Sequence, residues 1–471
     1  MPFPFILPTT SFIRFSEFFS STTHPSLPIT LTTRRAVVRD ALKKHKRLPP
    51  SSQASNLSNV LSSINEYLPY LFMADVGLSG SKISGEEVDV VLVKELEVEW
   101  RATLSSTVGG REPPRVRVRS LESEIAFILS TLALANSMLA RTQMHTLYNG
   151  TVLDGAQRTA AITSAMRYYL EANSIHSYLA ARAGQWTTPP ATADISQALQ
   201  SALASLTMAE ATLITVLKDD PYPSVVADDR NENVKDWMFK SPEIPKVRAH
   251  LFARLCLAAA GHAAQARALF GSSGKVDEDL LAYSDDLRRT ARGKACRFLG
   301  IDAELAERTG EGIAWLRGAK AELGFGASTS EDDGKLKGFS RFRKDWAEKR
   351  EDKKIKRGVD WGTDAGRFEE ARIVDKLEKK WAKMNDTVNV QVIPPYDPLL
   401  STIPSGREYH TPKPFKAPNP EEDIVFRMRA PPGHHDDTKQ GESDSDDEEH
   451  PAPPGAFLGS QATSTSANVY Y

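Results

Sequence analysis

The 471-residue sequence predicts a mainly α-helical protein, in which stacked helix pairs are braced by a small antiparallel β-sheet and followed by a disordered tail. Three observations lead there. Apolar residues recur at spacings of three and four through the middle of the chain, the period of helices that bury one face. One short region alternates polar and apolar residues instead, the period of a strand. Beyond residue 430 all periodicity gives way to proline, acidic and Ser/Thr-rich sequence that cannot bury a core.

Taken from the amino end, Met1-Pro-Phe-Pro-Phe-Ile-Leu-Pro8 is apolar, but it lacks a basic n-region and its prolines break the helix a signal peptide needs. It is expected to dock as a strand or loop. Glu95-Leu-Glu-Val-Glu-Trp100 and Arg115-Val-Arg-Val-Arg119 flank Gly109-Gly110 and Pro113-Pro114, which predicts a β-hairpin. Its inner face would carry Leu96, Val98, Trp100, Val116 and Val118. Glu95, Glu97 and Glu99 would meet Arg115, Arg117 and Arg119 on the outer face, a complementarity that favours antiparallel pairing.

Leu121, Ile125, Ile128, Leu132, Ala135 and Leu139 then mark one face of a long helix. Further helices are expected over 157–183, 194–218, 246–270, 279–299, 304–323 and 364–386, with Ile195, Leu199, Leu203 and Leu206 a stripe in the second of these. Thr188-Pro-Pro190, Pro221-Tyr-Pro223, Ser241-Pro242 and Gly271-Ser-Ser-Gly274 punctuate them. Small residues, as in Leu257-Ala-Ala-Ala-Gly-His-Ala-Ala264, would let helix axes approach closely in a stack. No repeat of fixed period accompanies them.

Charge and cysteine usage narrow the function classes. With 59 Lys and Arg against 61 Asp and Glu, the formal net charge is −2, which excludes a uniformly basic nucleic-acid binder. Basic character is local, at Arg34 to Arg47 and Lys335 to Arg357, either of which could favour an anionic membrane or an acidic partner. Two cysteines, Cys256 and Cys296, in Ala-rich surroundings argue for a reduced cytosolic protein rather than a disulfide scaffold. The run Ile125 to Ala140 is shorter than the ~20 residues of a membrane span and holds Ser130, Thr131, Asn136 and Ser137.

No catalytic residues, cofactor or resident metal are expected. Gly271-Ser-Ser-Gly-Lys-Val276 lacks the Walker spacing and has Val276 where a Ser or Thr should meet magnesium, so an enzyme using Lys275 is the remote alternative. His434-His-Asp-Asp437 lies in Pro-rich sequence without a preformed site. Ser443 and Ser445, set among acidic residues, are candidate phosphorylation sites in a tail that is negative already.

A collinear set of segments resembles the BRO domain family. Its members are Asn56-Leu-Ser-Asn-Val-Leu-Ser-Ser-Ile-Asn-Glu-Tyr-Leu-Pro69, the strand ending at Trp100, Ser120-Leu-Glu-Ser-Glu-Ile-Ala-Phe-Ile-Leu-Ser-Thr-Leu-Ala-Leu-Ala135, Tyr168-Tyr-Leu-Glu-Ala-Asn-Ser-Ile-His-Ser-Tyr-Leu179, Gly310-Glu-Gly-Ile-Ala-Trp-Leu316 and Val390-Gln-Val-Ile-Pro-Pro395. The opening residues, Val38-Arg-Asp-Ala-Leu-Lys-Lys-His-Lys-Arg-Leu-Pro-Pro50 and Ser405-Gly-Arg-Glu-Tyr-His410 resemble the branch of that family that regulates the fungal response to ambient pH.

The resemblance implies a curved BRO domain over residues 1–430, with tetratricopeptide-like helix pairs, and a tail over 431–471. It implies a non-enzymatic adaptor in alkaline-pH signalling that joins receptor complexes at the plasma membrane to the main ESCRT-III filament subunit and assists proteolytic activation of a zinc-finger transcription factor. A general endosomal sorting factor of the same family is the alternative. Family members hold the carboxyl-terminal helix of that subunit on an apolar patch, for which Val216, Leu217, Leu251, Phe252 and Leu255 are the candidates here. Arg407 is a candidate loop anchor, since its guanidinium could tie an extended segment to carboxylates or carbonyls. A cytoplasmic protein recruited to plasma or endosomal membrane follows from the same resemblance.

Overall fold

The computed structural model describes residues 2–83, 85–105, 113–148, 154–223, 246–274, 276–325 and 361–431. By internal contacts residues 1–430 form one unit and residues 431–471 another. The first unit is a succession of helices in which each long helix packs mainly on its neighbours in the chain.

After a short strand β1 (Phe19–Ser20), α1 (Leu27–Arg47) and α2 (Pro50–Leu78) form an antiparallel pair. Pro28 and Pro50 sit in their first turns, where a missing N–H costs nothing. Pro69 lies inside α2, so the helix runs on past a residue that ordinarily ends one, held by the burial of Tyr67, Leu68, Leu71 and Phe72 around it.

Three two-stranded pairings follow. β1 pairs with β4 (Val91–Leu92), β2 (Lys82–Ile83) with β3 (Glu86–Glu87), and β5 (Glu97–Arg101) with β6 (Arg115–Arg119), all antiparallel. The β5–β6 register sets Glu97 opposite Arg119, Glu99 opposite Arg117 and Trp100 opposite Val116. Arg117 reaches Glu97 at 3.3 Å and Glu99 at 3.4 Å on the solvent side. Leu96, Val98, Trp100 and Val118 are buried beneath, and Val116 is half-buried. The amino-terminal segment adds a third extended stretch beside β5, with Ser11 N–H donating to Glu99 O at 3.0 Å and Arg101 N–H to Thr9 O at 2.9 Å.

The long helices are α3 (Leu121–Thr146), α4 (Gly155–Ala183), α5 (Gln197–Asp219), α6 (Lys246–Ser272), α7 (Glu278–Leu305), α8 (Thr309–Glu322) and α9 (Arg367–Met384), within one to three residues of the sequence expectations at most ends. Capping accounts for several starts. Ser120, Asp154, Ser196 and Asp277 each accept backbone N–H groups, and Asp154 with Gln157 closes a capping box. Short helices α10 (Tyr396–Ser401) and α11 (Glu422–Met428) are the last elements among the described residues.

The one-faced reading of α3 needs correction. Every residue from Ser123 to Ser137 is buried, polar ones included, because α2, α4 and β6 enclose it. Helices α3 and α5 are long and apolar enough to cross a bilayer, yet 89% and 67% of their apolar windows are buried within the protein, as core helices are.

Candidate functional site

Two buried ionic hubs hold the stack. On α1, Arg35 donates through Nε to Glu124 of α3 at 2.7 Å, through Nη1 to Ser11 O at 2.7 Å and through Nη2 to Thr10 Oγ1 at 2.5 Å. Trp100 Nε1 donates to the other Glu124 oxygen at 2.7 Å and its ring stacks on Phe127 at 5.1 Å. Farther along, Arg297 of α7 spans Asp220 at the end of α5 and Glu370 of α9, both at 2.5 Å, and Lys294 adds a 2.6 Å contact to Glu370. Burial opposes charge on Glu370, but the Arg297 and Lys294 cations outweigh it and hold the carboxyl below its ordinary value. These groups join helices, and Asp220 and Lys294 also line a small cavity of about 50 Å³.

The feature open to a partner is a groove of about 610 Å³ between α4, α5, α6 and the carboxyl-terminal strand of chain that crosses them. Its floor is made of the small residues Ser174, Ala204 and Ser205, its lip of the exposed Ser177 and Ala181, and its walls of Tyr178, Met208 and Phe415. Asn173 Nδ2 donates to Ala204 O at 2.6 Å, which locks α4 against α5 under the floor. Small side chains deepen the groove, and aromatic and Met walls supply contact area that adapts to apolar side chains.

The crossing chain is a strap laid down by Ser405-Gly-Arg-Glu-Tyr-His410. Arg407 N–H donates to Arg254 O at 3.0 Å, and Arg254 Nε returns a bond to Ser405 O at 3.1 Å. His262 lies 2.9 Å from Glu408, and His410 shares a 2.7 Å hydrogen bond with Thr215. Gly406 is there for space. A Cβ on it would stand 2.6 Å from Ala258 N, so only glycine lets the strap lie on α6. Phe415 then meets the Tyr178 ring at 5.1 Å.

Most sequence-predicted site residues lie elsewhere. Val216, Phe252 and Leu255 are buried together with Phe298, the Phe252 and Phe298 rings 5.4 Å apart, and Leu217 is buried in a separate cluster with Met144 and Trp361. Leu251 alone is half-buried. The reason is that α5, α6 and α7 pack in sequence, so the stripes that face one another become core rather than patch. Arg407 anchors the strap through its backbone, while its side chain is exposed and has no partner among the described residues. Lys275, Lys335 to Arg357, His434 to Asp437, Ser443 and Ser445 lie outside the described residues. The segment before Lys275 is helix α6, and Val276 is buried and bridges Ser105, which is not the strand-then-helix setting of a phosphate loop. Among the described residues no cluster of His, Cys, Asp or Glu is arranged to hold a metal ion.

Reading by residue missed the groove, since its walls come from four separate segments. The one available signal was Gly406, a glycine in extended sequence, which marks a close backbone approach.

The hairpin-braced helical stack defines the class as a BRO domain. The chain superposes on the ALIX BRO1 domain of an ALIX BRO1–CHMP4C complex with a TM-score of 0.50 at 15% identity, covering 90% of this chain and 96% of that one. It also superposes on ALIX in complex with the SIVmac239 PYKEVTEDL late domain, with a TM-score of 0.53 at 14% identity, over 92% of this chain and 51% of that one. No family model matches the sequence. In sequence, it is 43% identical over the whole of both chains to the pH-response regulator protein palC of Emericella nidulans. It is 26% identical, over 88% of this chain and 92% of the other, to the pH-response regulator protein palC of Cryptococcus neoformans var. neoformans serotype D. The chain therefore belongs to the palC family of pH-response regulators.

Proposed function

We propose that this protein is a non-enzymatic adaptor in ambient alkaline-pH signalling, and that it holds the carboxyl-terminal amphipathic helix of the main ESCRT-III filament subunit in the groove beneath the strap. The observation that carries the reading is the groove itself, apolar-walled, small-floored and bounded on one side by residues 412–415, which follow the pinned segment 405–410. A helix presenting apolar side chains at i, i+3 and i+4 needs such a trough. The solved ALIX BRO1–CHMP4C complex supports a docking role for this fold. The family supports the signalling context.

In this reading the adaptor joins components of the alkaline-pH receptor complex to ESCRT-III at plasma or endosomal membrane, so that a zinc-finger transcription factor is activated by proteolysis. The protein contributes position and turns over no substrate. Ala204→Trp fills the groove floor and Ser177→Arg places a charge at its lip. Each should weaken titration of the ESCRT-III helix at least about tenfold, an effect of ~1.4 kcal/mol, with helical circular dichroism unchanged. Equal affinity in both variants would remove the groove from the mechanism. Saturable heat with ATP and magnesium that Lys275→Ala abolishes would overturn the non-enzyme reading.

A further inference from the structure

Helix α1 is buried through Leu31, Arg35, Val38, Leu42 and His45, which follow one another at helical spacing. The opposite side of the same helix is turned outward along its whole length and changes character midway. Its first half presents Ile29, 64% exposed, and Val37, 48% exposed. Its second half presents the exposed Lys44 and Arg47 beside the half-buried Lys43, for which no ion pair occurs among the described residues.

Two neighbouring elements extend this face. Phe12, from the amino-terminal segment, is 49% exposed with the Arg39 guanidinium 5.7 Å from its ring centre. Arg115, at the start of β6, comes close enough to Lys43 to act on it. Slight burial, then the cations of Arg39, Arg115 and Arg47, hold the Lys43 ammonium below the ordinary lysine range, and Asp40 only partly offsets them. The carboxylates facing the cluster are Asp40, 3.0 Å from Arg39, and Glu99, 3.8 Å from Arg115. Arg39, Lys43, Lys44, Arg47 and Arg115 outnumber them, so the repulsion is not answered within this part of the fold.

We propose that this α1–Phe12–Arg115 face is a docking surface for an anionic lipid bilayer. Charge complementarity selects the ligand sign, because closely spaced cations without matching carboxylates gain from a dense anionic surface. The exposed Phe12, Val37 and Ile29 side chains select a bilayer over a nucleic acid. A phosphate backbone would leave them in water, whereas the headgroup boundary takes in cationic and apolar side chains together. The surface deepens the adaptor reading by naming how the protein meets a membrane, and it lies on elements other than those lining the groove.

The test uses the full chain and sedimentation with phosphatidylcholine vesicles, with and without about 30 mol% phosphatidylserine. Binding should require phosphatidylserine and fall at least about tenfold between roughly 0.1 and 0.5 M NaCl. Lys43→Glu with Arg47→Glu changes only side chains on the outer face and should lower vesicle affinity at least about twentyfold, each cation near such a surface being worth roughly fivefold. Phe12→Ser should lower it further at high salt. The same variants should titrate the ESCRT-III helix as the unaltered protein does, which separates failure of the membrane face from failure of the groove. Vesicle binding within twofold of the unaltered protein after charge reversal, or tighter binding of duplex DNA than of anionic vesicles, would overturn the proposal.

Discussion

Arg35 and Glu124 form a buried ion pair at 2.7 Å that joins α1 to α3, although Arg35 stands in a basic run that reads as surface charge. The pair also gathers Ser11, Thr10, Tyr67 and Trp100, so the amino-terminal segment, α2 and the hairpin converge on one ion pair. Removing Arg35 would strand Glu124 without its cation in a dry site. Arg35→Met should cost about 3–5 kcal/mol in chemical denaturation. Arg35→Met combined with Glu124→Leu should cost clearly less than the single change, since no charge is then left buried.

Gly406 and Ala258 meet too closely for any side chain. Gly406→Ala should lift the strap, at a cost of about 1–3 kcal/mol. Trypsin should then cut faster at Arg407 and Lys416 than in the unaltered protein, while the melting of the helical body stays cooperative.

Phe252 and Leu255 serve the core. Phe252→Asp and Leu255→Asp should each destabilise the fold by several kcal/mol, through loss of packing and burial of a charge. Reduced circular dichroism or a lower melting temperature should accompany any loss of partner binding. Binding lost from a fully folded variant would return these side chains to the interface.

Two buried groups set opposite pH limbs. Burial, outweighing the hydrogen bond from Tyr283 at 2.5 Å, pushes the Glu210 carboxyl up to about 7. The folded state then holds a proton the unfolded state has released, so this stabilisation is full below the ordinary Glu value and is lost as pH rises to about 7. Burial drives His176 down to about 4, against its hydrogen bond to Gln200. That contribution is present above the ordinary His value of 6.5 and is lost as pH falls toward 4. Glu210→Gln should flatten the neutral limb of denaturation midpoints and His176→Gln the acid limb, each by up to roughly 3 kcal/mol.

Cys256 and Cys296 are both buried, and burial pushes each thiol up to about 12. Neither should react with a thiol reagent in the native protein, and both should react promptly in denaturant. Fast native labelling of either would contradict the packing of α6 on α7.

Local pattern was enough for the helices from α3 to α9 and for the hairpin. The spacing of Ile195, Leu199, Leu203 and Leu206 is the spacing of a buried stripe, and all four are buried, Ile195 in the 3-10 turn Ala193–Ile195 and the other three in α5. The Glu and Arg alternation of the two strands is realised as facing pairs. These succeed because a helix or hairpin answers to residues a few positions apart, and the same order of segments carried the family likeness.

What a given stripe faces is decided by packing between segments far apart in the chain, and that no period of three and four can report. Phe252 and Leu255 carry the same pattern whether turned to a partner or to Phe298. Arg35 carries the same charge as Lys44, yet one turns inward to Glu124 and the other outward to solvent. The groove exists only because residues 412–415 return to α4 after more than two hundred intervening positions. Sequence alone thus determined the elements and the family, through interactions local in the chain. Tertiary structure decided which side chains were left for a partner, because burial is settled between elements and not within them.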